Sequence, residues 1–140
     1  MTLTDRRLRA AILVLSALGA GIAAYLTYAH LAHAQVSCFT GGCETVQASH
    51  WSELAGVPVA ALGLGGYVVL AASASSRSEL ARALGLAAAL GGFAFAVFLI
   101  YVQAFELQAW CQWCLASDAV LTLLVPATLL RAVRADPPDG

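Results

Sequence analysis

Apolar residues in this chain come in long unbroken runs. Uncharged stretches extend from Ala10 to Ala29, from Leu54 to Ser76 and from Ala83 to Phe105, each long enough at about 1.5 Å per residue to cross roughly 30 Å of hydrocarbon. A fourth run, from about Trp110 to Leu130, reaches that length when Asp118 is tolerated near its outer end, since the fully uncharged part starts at Ala119. The pattern predicts an all-α membrane protein, a bundle of four transmembrane helices over about 8–31, 56–76, 82–105 and 111–131. An outer loop or short interfacial helix joins the first two.

One integral membrane domain, residues 1–133, accounts for these elements, and the polar tail 134–140, with Pro137-Pro138 and two aspartates, is expected to be disordered because it can bury almost nothing. Helices in lipid pack through small residues that let backbones approach, a role that suits Ala17, Gly21, Gly63, Gly65, Gly66, Gly91 and Gly92. Gly63-Leu64-Gly65-Gly66 lies inside an apolar helix with no preceding strand, so it is read as packing rather than as a nucleotide loop. Ser49 to Leu54 suits a short interfacial helix, with Trp51 at headgroup level. Pro58 fits the first turn of the second long helix.

Composition agrees with the pattern: 61% of residues are apolar and 11% charged, outside the range of soluble domains. The seven cationic residues are all arginines, and their placement orients the chain. Arg6, Arg7 and Arg9 precede the first helix, Arg77 and Arg82 separate the second and third, and Arg131 and Arg134 follow the fourth. Cytoplasmic loops retain such charge, so four crossings put both termini in the cytoplasm and leave Gln35 to Glu53 and Glu106 to Cys111 outside. Arginines, an apolar run and Ala32-His33-Ala34 also imitate a cleaved secretory signal, but the apolar core exceeds the usual ~7–15 residues of such a signal.

The outward segments hold all four cysteines, in two close pairs, Cys38/Cys43 and Cys111/Cys114. Disulfides persist outside the cytoplasm. Cys111-Gln112-Trp113-Cys114 has the small-ring spacing of redox dithiols and opens a helix whose N-terminal dipole favours thiolate. Its place at the membrane boundary allows contact with a lipid-soluble oxidant. Cys38/Cys43, on a glycine-bearing loop, can meet a soluble partner and then the inner pair, making a relay by thiol–disulfide exchange. Two structural disulfides, or one four-thiolate zinc site, are the alternatives.

Together, Cys38-x4-Cys43, Ser49-x-Trp51, Gly56-Val57-Pro58 and Cys111-x-x-Cys114 resemble the vitamin K epoxide reductase family, over Leu8 to about Leu130. The resemblance implies a four-helix bundle around a quinone (menaquinone or ubiquinone) as electron acceptor, with no metal. It implies that Cys114 lies closest to the quinone, that Cys111 exchanges with the loop, and that Cys38 and Cys43 carry electrons from a thioredoxin-like protein. Ser49 would lie beside the active pair. Bacterial members often carry a fused thioredoxin-like domain; here the expected partner is a separate extracytoplasmic thiol oxidoreductase. The lipid bilayer is its other expected partner, and nucleic acid is not.

One departure is informative. Animal enzymes of the family place a tyrosine four residues after the second cysteine of the pair, where this chain has Asp118. Residues i and i+4 share a helix face, and burial would favour the protonated acid. Asp118 is therefore a candidate donor to a quinone carbonyl, against the alternative of an acid reaching water at the outer boundary. The replacement favours respiratory quinone over vitamin K epoxide. His30, His33, His50, Glu44 and Glu106 are expected to be solvated, and Tyr25, Tyr28, Tyr67 and Tyr101 either line the quinone pocket or sit at interfaces.

The expected protein is thus a thiol:quinone oxidoreductase of the bacterial cytoplasmic membrane, supporting disulfide formation in exported proteins, with its active site on the extracytoplasmic side. The rival four-helix quinone-linked disulfide oxidase carries its Cys-x-x-Cys in the first outer loop, the reverse of the order here. The reading from another class is a non-enzymatic membrane module with structural disulfides.

Overall fold

The computed structural model describes residues 3–35, 37–39 and 41–134; most of the polar tail expected to be disordered lies outside them. Four long helices dominate: α1 (Leu3–Ala32), α3 (Val59–Ser75), α4 (Glu79–Tyr101) and α5 (Gln112–Val133), with a short α2 (Cys43–Ala48) in the first loop. α1 packs on α3 and α5, and α4 packs on the same two, closing a four-membered ring. Three are long and apolar enough to cross a membrane: α1, α4 with its continuation to Leu107, and α5. The 17 residues of α3 span about 26 Å at 1.5 Å per residue, the low end of the spanning range.

Helix ends differ from the run boundaries for local reasons. α1 starts at Leu3 rather than near residue 8, because the arginines continue its turns, and it stops where His33 adopts a left-handed φ of 52°. Ala34 N–H then closes on the Ala29 carbonyl at 2.9 Å, a left-handed C-terminal stop. The helix expected from residue 56 starts at Val59, because residues 53–58 form a two-stranded hairpin. β1 (Glu53–Leu54) and β2 (Val57–Pro58) pair antiparallel, Glu53 opposite Pro58 and Leu54 opposite Val57. The turn between them, Ala55 and Gly56, has φ of 54° and 85°, the two-positive-φ turn that matches strand twist. Ahead of it, the expected interfacial helix over 49–54 is replaced by α2 and a 3-10 turn at His50–Ser52.

Ser78 caps α4, its side chain accepting from Ala81 N–H at 3.1 Å. At the far end α4 widens into a π-turn over Val102–Leu107, closed by Gln108 with φ of 50°. α5 begins at Gln112, with Cys111 as its cap rather than its first residue.

The central core comprises Ile12, Ala23, Tyr67, Leu70, Ala74, Ala89, Val120 and Leu124. Gly19 lets α1 meet α3, since any Cβ there would overlap the Tyr67 ring; Gly85 does the same for Ser73. The glycines expected to mediate packing mostly do not: Gly21, Gly63, Gly65, Gly66 and Gly91 have open space where a Cβ would stand. The helices are apolar all round, so a glycine's position in the run does not encode the face it occupies.

The two ends of the ring differ chemically. At one, Arg9 donates to Ala74 O at 2.8 Å, while Arg131 donates to Ser73 O at 2.9 Å and also to Ser76 O. These guanidiniums satisfy the free carbonyls at the C-terminus of α3 and complement its dipole. At the other end lie the first loop and all four cysteines.

Candidate functional site

Both cysteine pairs enter one buried cluster. Cys43 and Cys111 are fully buried there with Leu26 and Ala29, and Cys38 and Cys114 pack against it from its flanks. Cys38 and Cys43 form a disulfide, and Cys111 and Cys114 are free thiols. The loop is seated by the two residues inside the Cys-x-x-Cys. Gln112 Oε1 accepts Phe39 N–H at 2.6 Å, and Trp113 Nε1–H donates to Ser37 O, so Cys38 is bracketed on both sides. Gly42 lies against the Trp110 backbone so closely that a Cβ would overlap it. Tyr25 adds a further brace, its hydroxyl accepting Ser37 N–H at 3.1 Å while its ring meets Trp113 edge-on at 5.1 Å.

At the head of α5, Cys111 Sγ accepts the Cys114 backbone N–H at 3.2 Å, putting the sulfur on the helix N-terminus. Hydrogen bonding with the Cys114 side chain, joined by the backbone N–H groups of Cys114 and Trp113, holds the Cys111 thiol below the ordinary cysteine value against the opposing effect of burial. Behind it, Gln103 on the π-turn is buried, and its Oε1 accepts Cys111 N–H at 2.8 Å.

Beyond Cys114 the helices enclose a cavity of about 390 Å³, mostly apolar, walled by residues including Tyr67, Leu70, Phe95 and Leu99. Its volume falls within the range of small-molecule sites, roughly 300–1,000 Å³. Cys114, Ser117, Asp118 and Gln103 are among its polar points. Gly63 and Gly66 line it, so their missing side chains leave room in the cavity rather than bringing helices together. Asp118 stands one turn beyond Cys114 on the same wall, and its Oδ2 is buried with no hydrogen-bond partner. A flat apolar ring bearing carbonyl acceptors fits such a chamber, with one unpaired carboxyl oxygen at its edge.

The other candidates divide between the cavity wall and positions away from it. Ser49 Oγ donates to Val46 O at 2.7 Å, shaping the turn after α2, and lies outside the cavity wall. Trp51 does line the cavity, held between His50 at 4.6 Å and Phe98 at 5.8 Å. Of the four tyrosines Tyr67 alone faces the chamber, its hydroxyl bonded to Ser117 Oγ at 2.6 Å. Tyr28 is exposed, and Tyr101 is exposed beside Phe105 at 5.1 Å. His30, expected to be solvated, instead pairs with Glu53 at 2.8 Å, tying the end of α1 to the hairpin. Among the described residues no three His, Cys, Asp or Glu side chains converge on a position for a metal ion.

Gln103 lies inside the uncharged run Ala83 to Phe105, which predicts no role for it. A lone amide in an apolar helix was the available signal.

The family model for the vitamin K epoxide reductase family matches residues 10–129. The chain belongs to the vitamin K epoxide reductase family. The family is quinone-linked in general, and membership makes this a membrane oxidoreductase of disulfide chemistry. The matched span holds both cysteine pairs, the bracketing Gln112 and Trp113, and every cavity residue named above. Its Gly56-Val57-Pro58 segment acquires a physical meaning here: Gly56 completes the turn, Val57 pairs with Leu54, and Pro58 caps α3.

Proposed function

We propose that the chain is a membrane thiol:quinone oxidoreductase, carrying two electrons from a separate thioredoxin-like extracytoplasmic protein through Cys38/Cys43 to Cys111/Cys114 and on to quinone. One observation carries this reading: the sulfurs are graded by burial. Cys38 is half-buried on the loop, Cys43 and Cys111 are fully buried in one cluster, and Cys114 stands on the cavity wall.

In this reading a partner thiolate attacks Cys38 Sγ and the Cys38–Cys43 bond breaks, freeing Cys43. The partner's second thiol then releases Cys38, leaving the partner oxidised and the loop a dithiol. Cys43 attacks Cys111 Sγ when Cys111 and Cys114 are joined, and Cys114 leaves as thiolate on the cavity side. Cys38 then closes on Cys43 and returns Cys111 as a thiol. The disulfide on the loop with free thiols at Cys111 and Cys114 corresponds to this stage. A quinone in the chamber supplies a two-electron, two-proton acceptor, and Cys111–Cys114 rejoin as those electrons leave. In sum, partner dithiol plus quinone gives partner disulfide plus quinol. Asp118, its Oδ2 unpartnered one turn from Cys114, is placed to donate to a quinone carbonyl, and Trp51 closes part of the chamber wall.

The same reading puts the chain in a bacterial cytoplasmic membrane with four crossings and both termini cytoplasmic. The arginines bound to the end of α3 opposite the sulfurs support that orientation.

Purified protein mixed with a reduced thioredoxin-like partner and either ubiquinone or menaquinone is the test. Stoichiometric quinol and partner disulfide are expected, and Cys114→Ser is expected to abolish both. No turnover by the wild type with either quinone would favour a module held by structural disulfides.

A further inference from the structure

Gln103 sits in the π-turn that continues α4. The π-turn over Val102–Leu107 carries an extra residue per turn, a distortion that concentrates at functional positions. The residue is 2% exposed. Both ends of the residue are used: its backbone carbonyl takes Ala109 N–H at 3.1 Å and also Gln108 N–H, and its side-chain oxygen takes Cys111 N–H at 2.8 Å. A single residue thus fixes both ends of the link 108–111 that delivers Cys111 to α5.

We propose that Gln103 is a positioning residue that seats Cys111 as the cap of α5 and thereby sets the redox balance of the Cys111/Cys114 pair. The inference deepens the proposed function and rests on it for its biological consequence.

An N-cap residue's own N–H lies outside the helix ladder. Buried at a membrane boundary it has no water to turn to, so an acceptor must come from the protein. A neutral amide oxygen supplies one without placing a negative charge beside a thiolate. With the backbone held, Cys111 Sγ stays on the helix N-terminus and accepts Cys114 N–H, where thiolate is favoured. Stabilising the thiolate stabilises the reduced pair and makes its disulfide the stronger oxidant. Without the acceptor, Cys111 N–H must reorient, the sulfur leaves the cap, and the pair shifts toward disulfide.

The test is an equilibrium measured on the full chain, with neither quinone nor partner present: Cys111–Cys114 disulfide plus two glutathione thiols giving the dithiol plus glutathione disulfide, quenched in acid and mapped by peptide. Gln103→Met keeps the volume and removes the acceptor; its equilibrium should shift toward the protein disulfide by about tenfold, the consequence of one lost buried acceptor. Gln103→Asn keeps an amide whose oxygen falls one methylene short, and should shift the same way. A folded Gln103→Met with a constant within about twofold of wild type overturns the proposal, since a positioning contact of this kind is worth more. Failure of both variants to fold overturns it as well, because the residue would then be purely structural. Lack of quinone turnover in the wild type sinks the proposed function and leaves this equilibrium readable.

Discussion

Gln112 Oε1 accepts the backbone N–H of Phe39 at 2.6 Å, so a residue between two cysteines of one pair holds the neighbour of a cysteine in the other. With Trp113 bound to Ser37 O on the other flank, the Cys-x-x-Cys docks the loop through its own intervening residues. Trp113→Phe keeps the ring and loses the donor, while Gln112→Ala loses the acceptor. Each should slow thiol exchange between the pairs by roughly threefold to tenfold, in line with one hydrogen bond worth ~0.5–1.5 kcal/mol. Acid-quench kinetics of pre-reduced loop against oxidised Cys111–Cys114 would read this directly. Unchanged rates in both variants would show that the brackets are incidental to exchange.

Asp118 carries a buried carboxyl oxygen with no partner, a cost borne by the fold. Asp118→Leu should leave stability unchanged or raise it by about 1–3 kcal/mol, while lowering quinone reduction at least about a hundredfold, the low end of the usual range for a lost general acid. Asp118→Asn retains a hydrogen-bond donor without a transferable proton and should fall between. Full turnover in Asp118→Asn across the pH range would remove the proton-donor role.

Cys111 supplies a pH dependence. Its thiol is held below the ordinary value of 9.0, chiefly by hydrogen bonding with Cys114, so attack by Cys111 thiolate should rise with pH and reach half its maximum below 9.0. For the reduced protein, the same lowering contributes stability that is present above the unfolded thiol value and lost as pH falls through the folded one. Cys114→Ala removes the principal cause and should raise the midpoint; Cys114→Ser keeps a donor and should raise it less. Ultraviolet absorbance of the thiolate in the reduced chain, followed against pH, reports the midpoint without quinone or any incoming reagent.

Packing makes a prediction independent of redox chemistry. Gly19 faces the Tyr67 ring with no room for a Cβ, so Gly19→Ala should destabilise by about 1–3 kcal/mol. Gly21→Ala, two residues on and facing open space on the opposite side of the helix, should be neutral or slightly stabilising. Tyr67→Phe loses the bond to Ser117 and should cost about 1 kcal/mol. Thermal unfolding in detergent would rank the three, and equal effects at Gly19 and Gly21 would contradict the packing described.

Long elements were readable because their determinant is length and absence of charge, both written in the chain: Ala83 to Phe105 announces α4 without help. What stayed hidden depends on faces and local φ. Nothing in an all-apolar helix tells that Gly19 looks inward while Gly21 looks out. Pro58 suggested a first turn, yet Ala55 and Gly56 at positive φ delay the helix to Val59, because a non-glycine residue in that conformation is rarely foreseeable. That both cysteine pairs share one end of the bundle was legible from where the arginines fall, but the seat of Cys111 was not. Gln103 reaches it across a π-turn from eight residues upstream, a separation no regular periodicity would connect.

Cys43 and Cys111 are each 0% exposed. Dissolved peroxide, glutathione or molecular oxygen therefore meets neither sulfur unless the loop first lifts. Side reactions must come through the half-buried Cys38 or through Cys114 on the cavity wall. For the proposed relay, such an enclosure would act as insulation, keeping reducing equivalents from leaking to whatever oxidant happens to be nearby.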